Sequence, residues 1–188
     1  MELLWIIVAV VVIAAIAAAA YFWMQNRRTQ ELSGRFGPEY RRTLEETGDR
    51  GEAEQELQAR QERVKQMEIR ELPAEQREQY AREWRSVQAQ FVDDPSGAIS
   101  LADRLVGEVM EARGFDVDSD FEQRAADVSV ESGQVVSEYR LAHDIAERHA
   151  AGGVETEELR QAMVHYRAVF DDLLGADSHE PAITGARS

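Results

Sequence analysis

The stretch T-E-E-L-R-Q-A-M-V-H-Y-R-A-V-F-D-D-L-L-G, Thr156–Gly175, decides the fold. Leu159, Ala162, Met163, Tyr166, Phe170 and Leu173 recur at three- and four-residue spacing, the period of a helix with one apolar stripe. Thr156 stands at the N-cap position. Glu157 and Glu158 fill the first turn, where carboxylates meet the positive end of the helix dipole, and Gly175 stands where the helix stops. Burying side chains of this size stabilises a fold by about 1.5–3 kcal/mol each, so this helix is predicted to be a main contributor to the core.

The same punctuation recurs on the N-terminal side. Pro38, Pro73 and Pro95 stand where helices begin, the position at which a missing N–H costs nothing. Gly48, Gly114 and Gly152 stand where helices end. Between these marks the spacing predicts helices over Pro38–Thr47, Glu52–Ile69, Pro73–Val92, Pro95–Arg113 with Asp94 as cap, and Gly133–Ala150 with Ser132 as cap, with a helical turn or two over Phe121–Ser129. Tyr80, Trp84, Val87 and Phe91 lie within about 60° of one another on a wheel of 100° per residue. The Glu52–Ile69 segment carries only Ala53, Leu57, Val64 and Met67 on its apolar side, broken by Arg60 and Gln61, and reads as a solvated spacer. No segment alternates with period two.

Residues Leu3–Met24 are uncharged throughout. As a helix this run extends about 33 Å, enough for a hydrocarbon core of about 30 Å. Trp5 at one end, and Tyr21, Phe22 and Trp23 at the other, suit the two headgroup layers. Arg27 and Arg28 follow, with Arg35, Arg41 and Arg42 beyond, whereas Glu2 and the α-amino group precede. The positive-inside rule then puts the N-terminus outside and the rest in the cytoplasm. Trp5, Tyr21, Trp23, Arg27 and Arg28 are the anchoring residues of this reading. A cleaved signal peptide, with Ala18–Ala20 as its site, is the competing reading. It wants a basic n-region and a shorter apolar core, and neither is present.

The expected architecture is all-α: one N-terminal transmembrane helix (1–25), a juxtamembrane segment and polar helical spacer (26–72), an up-and-down bundle of about four helices (73–175), and a disordered tail (176–188). Lys and Arg number 21 against 36 Asp and Glu, a net charge of −15. So acidic a chain does not bind nucleic acid through a general field, and only the first turns after the run are basic enough to lie on headgroups. Cysteine is absent, which excludes disulfides, thiolate nucleophiles and Cys-ligated metals.

Four histidines are present, His143, His149, His165 and His179, and none forms a metal-ligand pair at i, i+4. No phosphate-loop, dinucleotide or nucleophile-elbow motif occurs. No catalytic, cofactor-binding or metal-ligating residue is therefore assigned, and no cofactor is expected. The candidate interaction patch is Phe121, Glu122, Arg124 and Asp127, with His143 and His165. The bland reading of Phe121–Ser129 is a short helix tied by Arg124 to nearby carboxylates.

The stretches R-F-G-P-E-Y (35–40), F-V-D-D-P (91–95), F-E-Q-R-A-A-D-V-S-V (121–130) and L-R-Q-A-M-V-H-Y-R (159–167) together resemble an uncharacterised family of bacterial single-span, membrane-anchored helical proteins with no established activity. The resemblance implies one N-terminal span and a helical domain, and adds no functional residues. The function expected is a membrane-anchored helical adaptor at the cytoplasmic face of a bacterial inner membrane, with the bilayer and a protein partner or second copy as its contacts. The alternatives are an enzyme or ligand-binding domain with a site between helices near His143, His149 and His165, and an exported protein.

Overall fold

Pro38 and Pro95 open helices, and Gly48, Gly114 and Gly175 close them, as their positions predict. In a computed structural model of the chain, residues 2–175 are described, apart from the side chains of 2–4, 6–11, 14, 21 and 25. The tail read as disordered lies outside the described residues. Every regular element among the described residues is a helix: α1 (Glu2–Phe36), α2 (Pro38–Thr47), α3 (Arg50–Gln66), α4 (Ala74–Gln90), α5 (Pro95–Arg113), α6 (Phe121–Glu131), α7 (Val136–Ala150) and α8 (Thr156–Leu174). They form two compact units, Met1–Leu57 and Gln58–Ser188.

In the first unit α1 runs on through Gly34 and stops only at Gly37, whose φ of 53° suits a residue without a Cβ. Pro38 then opens α2, and Gly48 closes it in the left-handed region. Leu32, Phe36, Tyr40, Ala53 and Leu57 are buried. Among them lies the Glu54 carboxylate, also buried, which accepts hydrogen bonds from Thr29 Oγ1 at 2.6 Å and Tyr40 Oη at 3.3 Å. Arg28 Nε stands 3.9 Å away. A buried carboxylate persists only when its oxygens are so satisfied. Burial raises the Tyr40 phenol pKa, and the neighbouring Glu54 charge adds to the effect.

Among the described residues no helix is long and apolar enough to cross a membrane. Ten of the 22 residues of Leu3–Met24, Tyr21 among them, have side chains outside that set. Trp5, Ile13, Ile16, Phe22 and Trp23 of the run are exposed.

In the second unit α8 packs against α7 and α5, and α5 also meets α4. Glu138 contacts His165 and Arg148 contacts Glu158, so α7 and α8 run antiparallel. The Tyr80 Oη contact with the Glu108 carbonyl, together with the short turn at 91–94, gives α4 and α5 the same relation. Trp84 is fully buried and stacks on Phe170, ring centroids 4.6 Å apart. Tyr139 and Tyr166 are buried as well, and Tyr166 Oη donates to Asp103 Oδ1 at 2.9 Å.

Three expectations need correction here. Phe121–Glu131, read as a turn or two, is a full helix capped by Asp120, so that five helices, α4–α8, occupy 73–175. The helix read from Gly133 begins at Val136, and Ser132 does not cap it. The Ser132 hydroxyl instead donates to Asp172 Oδ2 on α8 at 2.5 Å. Thr156 is the first residue of α8, not its cap: Glu155 precedes it, and the Glu158 side chain reaches back to the Glu155 N–H.

Nor is α3 solvated on all sides. Ala53, Glu54 and Leu57 are buried in the first unit, Arg60 and Val64 in the second. Burying two charged side chains removes the reason for reading a spacer, since exposed charges were its main signal.

Helix α5 ends in a tight motif. Gly114 has φ 101°, Phe115 N–H returns to the Met110 carbonyl at 3.0 Å, and Phe115 is buried beside it. The segment after α3 lies across this end, Arg70 N–H donating to the Arg113 carbonyl at 2.9 Å. A Cβ on Gly114 would stand 2.6 Å from the Glu68 carbonyl oxygen. Gly114→Ala is therefore expected to destabilise by about 1–3 kcal/mol. Gly107→Ala, in the same helix with open space at its Cβ, is expected to stabilise by up to about 1 kcal/mol. Thermal melts of the two variants should shift in opposite directions.

Candidate functional site

Phe121 opens α6 at a point fixed by Asp120, whose carboxylate accepts from Gln123 N–H at 2.8 Å. This places the Phe121 ring flat on His143 of α7, centroids 3.6 Å apart and planes 8° apart, and tilted on Tyr139 at 4.8 Å. One turn of α7 separates Tyr139 from His143, which is why one aromatic ring meets both. Glu122 pairs with Arg140. Of the predicted patch, Phe121, Glu122 and His143 therefore share one face of the α6–α7 pair.

The other three residues point to local structural work. Arg124 donates to the carbonyls of Val117, at 3.2 Å, and Ser119, so it ties down the α5–α6 connection rather than carboxylates. Asp127 is buried and accepts from Arg63 of α3, Nη2 at 2.6 Å and Nε at 2.8 Å, and from Gln123 at 3.0 Å. His165 Nδ1 lies 2.5 Å from Glu138 Oε2.

The histidines do not converge. His143 Nε2 stands 3.5 Å from Glu147, and His149 Nε2 is 2.9 Å from Ser96 Oγ. His149 thus bonds a hydroxyl at the start of α5 from its place in the last turn of α7. His179 lies outside the described residues. Among the described residues no three His, Asp or Glu side chains gather closely enough to hold a metal ion. The two deepest phenols are not poised as bases either. Burial pushes the Tyr139 pKa up, partly opposed by a hydrogen bond to Arg124, and burial followed by the Asp103 charge pushes Tyr166 far above the usual phenol range.

Sequence reasoning missed two concavities. One, of about 340 Å³, lies in the second unit where α5, α6 and α8 end, with Arg77, Arg113, Glu131, Ser132 and Asp172 in its wall. Arg113 Nη2 and Glu131 Oε2 are 2.9 Å apart, and Ser132 already serves Asp172. Much of its polar wall is therefore mutually satisfied. Gly175 was a legible signal of a helix end, but its place beside Arg113 and Glu131 in one wall was not. The other, of about 490 Å³, lies in the first unit and is lined by Phe22, Trp23, Asn26 and Arg50.

Fold and site together define an all-helical chain of two compact units, with an aromatic–histidine contact between α6 and α7 and no metal cluster among the described residues. No family model, curated protein or solved structure matches this chain.

Proposed function

We propose that the chain is a membrane-anchored helical interaction module. In this reading the Leu3–Met24 part of α1 spans a bacterial inner membrane with its N-terminus outside. The acidic helical unit then holds a protein partner, or a second copy of the chain, at the cytoplasmic face. One observation carries the reading: an uncharged 22-residue run lies inside a single unbroken helix, and its described large apolar side chains are 49–69% exposed. Water is an unfavourable neighbour for so many large apolar groups on one helix, whereas hydrocarbon is not. Trp5 and Trp23 are about 27 Å apart along the axis, which suits the two headgroup layers. The face shared by Phe121, Glu122 and His143 is the candidate for the partner.

The full chain mixed with phospholipid vesicles is expected to float with them and to remain through carbonate extraction. Ile13→Arg, which puts a charge near the centre of the run at a cost of about 2.5–3.5 kcal/mol, is expected to lose most of the inserted fraction. Wild-type chain released by carbonate would end the anchoring half of the proposal. Crosslinking in intact bacterial cells tests the other half, and recovery of neither a partner nor a dimer would end it.

A further inference from the structure

We propose that the first unit carries a binding site for one anionic phospholipid headgroup of the phosphatidylglycerol type, formed by Phe22, Trp23 and Asn26 of α1 and Arg50 at the start of α3. The proposal rests on the membrane-anchored reading, since it takes the end of the apolar run to lie at headgroup depth. The four residues line one concavity of about 490 Å³. Arg50 is 27 positions beyond Trp23 in the chain. The turn at Gly37, helix α2 and the left-handed Gly48 bring the chain back, so that Arg50 stands beside the aromatic end of the run.

The chemistry of the wall selects the occupant. Phe22 and Trp23 are 69% and 60% exposed, and offer flat apolar surface to the upper part of an acyl chain. The guanidinium of Arg50 can grip a phosphate through two parallel N–H donors, and the Asn26 amide supplies another donor. The Arg27 guanidinium sits over the Trp23 ring, 4.7 Å from its centroid, adding a second positive charge at the same place. Among the described residues no carboxylate is in this wall.

Arg28 and Arg42, by contrast, already have carboxylates, Glu54 and Glu46. Among the described residues no carboxylate lies within ion-pair distance of Arg50. The Arg50 guanidinium, with the Arg27 charge beside Trp23, favours a headgroup of net negative charge. A choline headgroup would bring its own cation up against them.

The full chain in neutral detergent micelles is titrated with phosphatidylglycerol or phosphatidylcholine, and bound lipid is counted by native mass spectrometry. One phosphatidylglycerol per chain is expected, held about tenfold more tightly than phosphatidylcholine, the scale of a charge-assisted hydrogen-bond pair. Arg50→Ala is expected to abolish the preference and Arg50→Lys to keep part of it. Asn26→Ala should weaken it severalfold without changing the melting temperature. Equal retention of both lipids, or an unchanged preference in Arg50→Ala, overturns the site. Competition by glycerol phosphate at the affinity of the lipid would make the ligand a soluble phosphate and overturn the lipid assignment. The micelle titration needs no span, so the two failures separate. Lost preference with intact vesicle flotation removes only the headgroup site, and lost flotation with intact preference removes only the anchor.

Discussion

Trp84→Ala is expected to destabilise the helical unit by about 3–5 kcal/mol, the range for truncating a fully buried large aromatic side chain. Trp84 has no exposed surface, and its ring lies on Phe170 at 4.6 Å with 23° between the planes. The substitution removes this stacking together with the burial of an indole, and opens a hole between α4 and α8 that the surrounding helices fill only in part. Arg167, whose guanidinium carbon stands 5.9 Å from the ring centroid, loses its aromatic neighbour too. Trp84→Phe should recover more than half of the loss. The indole Nε1 has no hydrogen-bond partner among the described residues, so the smaller ring forfeits volume but no polar contact. Denaturant titration followed by circular dichroism measures both variants. A Trp84→Ala midpoint equal to that of the wild type would refute this packing.

Strong alkali is expected to unfold the second unit through its buried phenols. In the unfolded chain a tyrosine ionises near pH 10. In the fold, burial and the adjacent Asp103 carboxylate raise the Tyr166 pKa far above that, and burial raises Tyr139 too. The folded state therefore holds its phenol protons after the unfolded state has begun to lose them. The stabilisation is fully present below pH 10 and declines above it, by about 1.4 kcal/mol per pH unit for each such tyrosine. Tyr166→Phe should cost about 1 kcal/mol at neutral pH through the lost bond to Asp103. It should also make the decline between pH 10 and 12 shallower by one tyrosine's share. Denaturation midpoints at pH 8, 10, 11 and 12 give both quantities, and parallel curves for wild type and variant would show that the phenol is not held protonated.

What the sequence made legible was local. Helix α5 begins at Pro95 after Asp94 and ends before Gly114, as those residues predict, because caps and breakers act within a few positions. The Trp84–Val87 stripe and the stripe of α8 are buried for the same reason: period is a local property. Ser132 was misread because its acceptor, Asp172, lies 40 positions away. Arg60 and Glu54 looked solvated because charge alone says nothing about a partner brought in by the fold. The candidate patch was legible in part. Phe121 and His143 meet through the packing of α6 on α7, while Asp127 is claimed by Arg63, 64 positions distant. Neither concavity was readable, since each joins residues that only the tertiary structure brings together.

The contact between α4 and α8 has a consequence for biosynthesis. Trp84 is translated long before Phe170, and Tyr166 long after its acceptor Asp103. While the ribosome is adding residues up to about 160, the apolar faces of α4, α5 and α7 are complete but lack the helix that covers them. A core closed by α8 cannot finish folding before that helix is made. The nascent unit therefore cannot complete this core until Thr156–Leu174 has left the ribosome. If the N-terminal helix is by then inserted, that final step takes place at the bilayer surface.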